Sequence, residues 1–264
     1  MEKIFITVNG SDRQEVEKGT TFYDVAKKYK NNFKYDIMLA QSGNTLYELS
    51  SPIKRSMDIK FLDMSNDEGM RVYTRCVSYI MVKAIKEIYG IETKVFIEHS
   101  INGNLYCEIK KDGLAVDEAC LELIRERMRD IVEKNLPIEK MTISVDDAIE
   151  LAAKCGLEDK SRLLSYRRMS YVNIYKMENF YDYYYGYMVP SAGCLKYFDL
   201  SLYESGFLLR LPSTKHPDKL NGYENFEKIS SVFMEQLKWC VLLGVKNIAD
   251  LNDVIANGNF ADIV

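Results

Sequence analysis

Hydrophobic and polar positions alternate in short runs over roughly the first sixty residues. The alternating run Lys3–Asn9, a turn, and Arg13–Val16 predict a β-hairpin. Thr20 or Thr21 can then cap a helix whose apolar residues share one face: Phe22, Val25, Ala26 and Tyr29. Three short strands are predicted after it: Ile37–Gln41, Leu46–Leu49 and Asp58–Leu62. Residues 1–62 are therefore expected to form a small mixed sheet that holds one helix.

The polar, turn-rich stretch Met64–Gly69 is expected to be a domain boundary. Apolar residues at helical spacing then run from Tyr73 to Ile88, before Gly90. Asp117 and Ser144 are the expected caps of two further helices, Glu118–Asn135 and one that ends near Gly156. The predicted strands are Lys94–His99, Leu105–Ile109, Ser170–Met177, Phe180–Tyr187, Cys194–Leu200 and Phe207–Leu211. Residues 66–222 are expected to form an α+β domain, and residues 223–264 a helical linker.

The net charge and the cysteines of the chain limit which partners and which cellular compartment are expected. The chain has 264 residues and a formal net charge of −4, which argues against broad, non-specific binding to nucleic acid or membranes. No secretory signal is visible at the N-terminus, and no apolar run has the length of a membrane helix. The six cysteines include no C-x-x-C pair, so they are expected to be reduced thiols. A cytoplasmic location without a membrane partner is predicted.

The common catalytic motifs are missing from the sequence. No glycine precedes a lysine, so the chain has no phosphate loop of the G-x-x-x-x-G-K-[ST] type. The only histidines, His99 and His216, are far apart, whereas zinc needs three or four protein ligands. We therefore expect no catalytic residue, no metal site and no cofactor in this chain.

The segment Phe180–Tyr187 is unusually rich in tyrosine. As a strand it would present the odd-numbered tyrosines on one side: Tyr181, Tyr183, Tyr185 and Tyr187. These rings could stack a base or sugar, or they could simply pack within a sheet. Two interpretations are also open for the nearby basic residues: they could contact a phosphate, or they could be solvated surface residues. These residues are Arg167, Arg168, Lys176 and Lys196.

The order of segments at the N-terminus resembles a TGS domain, a β-grasp module. The similar segments are Ile6–Gly10, Glu17–Ala26 and Leu49–Ile53. Such modules occur in threonyl-tRNA synthetases, in stringent-response ppGpp synthetases and in certain GTPases.

The second unit resembles the editing-type domain that follows TGS in threonyl-tRNA synthetases. The similar segments are Arg75–Gly90, Asn135–Lys140 and Phe180–Gly193, and the resemblance covers about residues 1–212. The family's editing site uses His-x-x-x-His on the first helix and Cys-x-x-x-His before the Val-Pro-Ser segment. These four positions correspond here to Arg75, Tyr79, Tyr184 and Met188. Because all four differ, the resemblance implies that editing hydrolysis is lost.

A TGS domain followed by a degenerate editing-type domain resembles the N-terminal half of bacterial uridine kinase-like (nucleoside kinase) proteins. That resemblance implies a kinase-like domain as a partner in cis. ATP and Mg²⁺ would be needed only in that transferase domain, which would follow Val264.

Three functions are compatible with the sequence. The preferred one is a non-catalytic regulatory module whose cleft, walled by the four replaced positions, binds an RNA 3′ end, a nucleoside or a nucleotide. The second is an editing hydrolase that uses other residues. The third is a scaffold that forms a homo-oligomer through the apolar stripe Phe226, Ile229, Phe233 and Leu237.

Overall fold

The N-terminal unit of the computed structural model is a mixed sheet with one helix. The structure describes residues 2–222, 227–245 and 247–258, without the side chains of 227–231, 234 and 237. The elements of the N-terminal unit are β1 (Lys3–Val8), β2 (Asp12–Glu17), α1 (Phe22–Tyr29), β3 (Ile37–Ser42), β4 (Thr45–Glu48) and β5 (Met57–Asp63). The Thr21 side chain accepts a hydrogen bond from the Asp24 backbone N–H and so caps α1, as expected.

The strands of this sheet are arranged in the order β2-β1-β5-β3-β4. β1 runs parallel to β5, and the other pairs are antiparallel. The predicted apolar face of α1 is buried with residues of β1 and β5, including Ile6, Ile59 and Phe61. The helix and one face of the sheet therefore enclose a small core.

The second unit contains more helices and three further sheets within the described residues. Its elements are α2 (Asp67–Tyr89), β6 (Lys94–Ile101), β7 (Asn104–Lys110), α3 (Glu118–Glu133), β8 (Glu139–Ser144), α4 (Val145–Lys154), α5 (Glu158–Ser165), β9 (Tyr171–Met177), β10 (Phe180–Asp182), β11 (Asp199–Tyr203), β12 (Gly206–Arg210), β13 (Pro212–Ser213) and β14 (His216–Leu220). The sheet orders are β10-β9-β8, β11-β12-β7-β6 and β13-β14. The predicted α+β class is thus confirmed.

Several element boundaries differ from the sequence predictions. α2 begins at Asp67, capped by the Asn66 side chain, inside the stretch expected to be a boundary. The strand predicted for Phe180–Tyr187 ends at Asp182, so the tyrosines from 183 onward do not alternate across a sheet. β8 and α5 were not predicted.

The two units share buried side chains. Met38, Leu39, Leu62 and Met64 from the N-terminal side belong to the same buried cluster as the residues of α2. β3 packs directly against α2. The N-terminal sheet therefore contributes to the core that surrounds α2.

Two helices, α6 (Glu227–Leu242) and α7 (Ile248–Ala256), follow the second unit. Arg162 of α5 donates to Asp250 of α7 at 2.9 Å and also pairs with Asp253. The ring of Phe233 stacks on His99, with ring centroids 4.3 Å apart. Of the apolar stripe predicted for self-association, Phe226 and the side chains of Ile229 and Leu237 lie outside the described residues.

Candidate functional site

The four positions that correspond to the family's editing motifs lie together, between α2 and the segment after β10. Arg75 and Tyr79 are four residues apart on α2, so they project from one face of the helix. Tyr184 and Met188 follow β10 along the chain. The rings of Tyr79 and Tyr184 meet edge to face, with their centroids 5.7 Å apart.

Tyr79 fills the space between α2 and the β9–β10 hairpin. Its side chain is 0% exposed. The hydroxyl lies 3.3 Å from the carbonyl oxygens of Tyr175 and Phe180, and can donate to either one. Burial raises the pKa of this phenol, which therefore stays protonated.

Met188 and Cys76 form a sulfur contact within the buried cluster that also contains Tyr79. Met188 is 1% exposed, and its sulfur lies 3.6 Å from Cys76 Sγ. The Val189 backbone N–H donates to the same thiol at 3.3 Å. Burial raises the pKa of Cys76 to about 12, so this thiol is not an activated nucleophile.

Arg75 is held against the backbone of the segment that contains Tyr184. Its Nη1 donates to the Tyr187 carbonyl at 2.7 Å. Gly186 has φ +123°, and a Cβ there would lie 2.6 Å from the Arg75 guanidinium. The glycine thus provides both the unusual backbone angle and the space for the guanidinium.

The expected cleft is closed where Tyr79 and Met188 pack. These two side chains and Cys76 occupy the interior between α2 and β9–β10. A cavity of about 600 Å³ lies next to this point, lined by Val189–Ser191, Asn135, Tyr23 and Lys27. The ring and the thioether act as core residues rather than as walls of an open pocket.

An ion pair between the partly exposed Lys160 and the buried Asp182 borders Tyr184. Lys160 Nζ lies 2.6 Å from Asp182 Oδ1 and 4.3 Å from the centre of the Tyr184 ring. Burial, and next the charge of Asp182, raise the pKa of Tyr184 well above its usual value. Within this cluster, the charge of Lys160 is directed at the carboxylate and the ring.

The other binding candidates fall in two different places. The Arg167 guanidinium contacts the Tyr183 hydroxyl and lies 5.5 Å from the centre of its ring. Arg168 is exposed, and Tyr185 is 84% exposed. Lys196 lies elsewhere, 3.7 Å from Asp36 of the N-terminal unit. Arg167 and Tyr183 are in contact, and the exposed Arg168 and Tyr185 are their near neighbours in sequence. We call these four residues the tyrosine–arginine surface: Arg167, Arg168, Tyr183 and Tyr185.

Sequence reasoning missed Glu48, a residue of β4 that reaches this site. Its carboxylate is buried and contacts the Tyr175 hydroxyl. It also accepts a hydrogen bond from the Met188 backbone N–H at 3.1 Å. A glutamate at the end of a short strand has no sequence signature for such a role.

We searched the described residues for a possible metal site, that is, three or more histidine, cysteine, aspartate or glutamate side chains grouped together. The described side chains contain no such group. In the same described part of the chain, no helix is long and apolar enough to cross a membrane.

The relatives that sequence comparison finds for this chain include aminoacyl-tRNA ligases. The chain is similar to threonine–tRNA ligases, with 26% identity over 228 residues to that of Syntrophotalea carbinolica and 26% over 229 residues to that of Halalkalibacterium halodurans. These matches cover 83% and 86% of this chain but 36% and 35% of the relatives. Threonine–tRNA ligase 1 of Bacillus subtilis is 27% identical over 200 residues, 75% of this chain and 31% of that ligase.

The chain therefore spans about a third of the length of the curated relatives it matches. No protein-family model matches it. None of these relatives is a uridine or nucleoside kinase, so the comparisons give no support to the kinase-like reading.

Proposed function

We propose that the chain is a non-hydrolytic, tRNA-binding counterpart of the editing region of threonyl-tRNA synthetases. In this proposal residues 1–62 are a TGS-like β-grasp domain, residues 66–222 are a degenerate editing-like domain, and residues 223–264 are a helical linker. The similarity to threonine–tRNA ligases over most of the chain supports it. The single helix of the N-terminal unit, packed on a mixed five-stranded sheet, supports the β-grasp assignment.

The observation that carries the proposal is the chemistry of the four replaced positions. General acid–base work needs a group that titrates near neutral pH, and zinc needs imidazole, thiolate or carboxylate ligands. A guanidinium, two phenols of raised pKa and a thioether provide neither. The buried Tyr79 and Met188 also occupy the interior of the site.

The first test is hydrolysis of threonine-specific tRNA that carries a non-cognate amino acid. We expect the rate of amino-acid release to equal that in buffer, with or without added zinc, because none of the four replaced positions supplies a base, a nucleophile or a metal ligand. A sample deacylated at alkaline pH serves as the positive control. Release that depends on the protein would contradict the proposal.

RNA binding is assigned to the tyrosine–arginine surface. Tyr185 is almost fully exposed, and the Arg167 guanidinium lies 5.5 Å from the centre of the Tyr183 ring. Exposed aromatic rings stack unpaired bases, and arginine contacts both rings and phosphates, so this pair of groups suits a single-stranded RNA end. The positive charge of this surface is local, so it is compatible with the net charge of −4 of the whole chain.

The second test measures tRNA affinity for variants of this surface. Stacking contributes about 1–3 kcal/mol per base, so we expect Tyr185→Ala or Arg167→Ala to weaken binding about 5- to 150-fold in a fluorescence titration. Phe5→Ala is the matched control, because Phe5 is another exposed ring with an arginine, Arg13, 4.9 Å from its centre. Equal losses in Phe5→Ala and Tyr185→Ala would locate binding elsewhere.

A second candidate function is editing by other residues, which the relatives' names favour. The Lys160–Asp182 pair next to Tyr184 is one group of ionisable side chains that borders the site. The hydrolysis assay separates this function from the first. The kinase-like partner domain with its ATP and Mg²⁺, the nucleoside or nucleotide ligand, the homo-oligomer and the cytoplasmic location remain predictions.

A further inference from the structure

Glu48 is a buried carboxylate of the N-terminal unit whose polar partners all belong to the second unit. It is 2% exposed. Its Oε1 accepts from the Met188 N–H at 3.1 Å and contacts the Tyr175 hydroxyl. Lys140 Nζ of β8 lies 3.0 Å from Oε2. The Glu48 side chain of the N-terminal unit thus contacts three groups of the second unit: the Tyr175 hydroxyl, the Met188 backbone N–H and the Lys140 ammonium.

These groups form an arrangement that suits an anion. Burying an ionised carboxylate is costly unless hydrogen bonds and an opposite charge compensate for the lost hydration. Here the Tyr175 hydroxyl and the Met188 backbone N–H contact one carboxylate oxygen of Glu48, Oε1. Lys140 acts on the other mainly as a point charge, because no hydrogen bond from the described residues is aligned on Oε2.

Arg75 adds positive charge to the same place. The charges of Glu48 and Arg75 act in opposite directions on the pKa of both Cys76 and Tyr175, so both charges are close to these two side chains. Tyr175 also lies 2.7 Å from the carbonyl oxygen of Gly186, the glycine that the Arg75 guanidinium packs against. One cation, Lys140, and two hydrogen-bond donors therefore contact the Glu48 carboxylate, and Arg75 is a second cation near the same side chains.

We infer that the degenerate site contains an anion-binding pocket for a small carboxylate, and that Glu48 is its internal occupant. Glu48 thereby bars the pocket to other anions and fixes the N-terminal unit against the second unit. Removing the side chain would leave a vacant, positively charged pocket the size of a carboxylate. This inference does not depend on RNA binding or on the absence of hydrolysis.

The test is rescue of Glu48→Ala by acetate. We expect the variant to unfold at a temperature lower by on the order of 10 °C, because three polar groups lose their buried partner. Acetate at ten times its dissociation constant should restore about 3–5 °C, because it binds only the folded chain. Chloride at the same ionic strength should restore nothing.

Two controls separate a specific pocket from general charge effects. Glu15→Ala removes an exposed carboxylate that pairs with Lys3 at 2.9 Å, and it should show neither the large loss nor the rescue. Adding Tyr175→Phe to Glu48→Ala removes one donor and should reduce the acetate effect. Equal rescue by chloride, or no rescue of folded Glu48→Ala at any acetate concentration, would overturn the inference.

Glu48→Gln keeps the inference testable if Glu48→Ala does not fold. The amide retains the shape of the side chain but removes its charge, so Lys140 loses its buried counter-charge. We expect a lower unfolding temperature than in the wild type and no response to acetate, because the amide fills the pocket. A Glu48→Gln variant as stable as the wild type would show that the pocket needs no anion.

Discussion

Gly69 lies in the first turn of α2, next to Asp63 at the end of β5. A Cβ at this position would lie 2.0 Å from the backbone oxygen of Asp63 and 2.8 Å from its carbonyl carbon. The contact is with backbone, which cannot rotate away as the end of a flexible side chain could. The absence of a side chain at Gly69 therefore sets how closely α2 follows the N-terminal sheet.

We expect Gly69→Ala to destabilise the protein, although alanine is normally the better helix former. Alanine would gain about 1 kcal/mol in an unobstructed helix, whereas forcing a methyl group into a filled space costs about 1–3 kcal/mol. Urea unfolding followed by circular dichroism measures the net change. Gly222→Ala is the control, because a Cβ there meets no atom within 4 Å. A stabilised Gly69→Ala variant would contradict this close contact.

At the scale of single elements, three helix starts were predicted from their local caps. The side chains of Thr21, Asp117 and Ser144 each accept a hydrogen bond from a backbone N–H three residues later. Each cap is encoded by residues adjacent in sequence, so pattern alone locates it. α5 has no side-chain cap and one buried residue, Leu164, so it carries little signal that a pattern could detect.

The tyrosine segment shows where local patterning fails. Tyrosine has a high β-propensity, which favoured a strand through Tyr187. The chain instead leaves the sheet after Asp182, whose side chain accepts from the Tyr183 N–H, and Gly186 adopts a φ of +123°. Met188 then donates its N–H to Glu48, 140 residues away. Because this partner lies in the other unit, no local pattern reveals it.

The candidate site was predictable only in part for the same reason. The resemblance between motifs identified Arg75, Tyr79, Tyr184 and Met188, and their spacing on α2 and after β10 is a local property. Their burial depends on how the hairpin packs against α2, and the position of Glu48 depends on how the two units meet. Both are consequences of tertiary structure.

At the scale of the whole molecule, the two units are joined by shared apolar burial as well as by Glu48. Leu39 of β3 is fully buried in the cluster that contains Tyr73, Cys76 and Ile80 of α2. The Tyr73 hydroxyl in turn accepts from the Tyr197 N–H at 2.6 Å. Apolar side chains from both units thus lose their contact with water at the same place, so opening this interface would expose both cores.

This shared core predicts that residues 2–222 unfold as one cooperative unit. Truncating a fully buried leucine removes its burial and leaves a cavity, so Leu39→Ala should lower the free energy of unfolding by about 3–5 kcal/mol. Because its neighbours belong to both units, the variant should shift a single urea transition without splitting it, as measured by far-ultraviolet circular dichroism and tyrosine fluorescence. Ile4→Ala is the control, since Ile4 is buried within the N-terminal cluster alone. If the units were independent, wild-type unfolding would show two transitions and Ile4→Ala would shift only one of them.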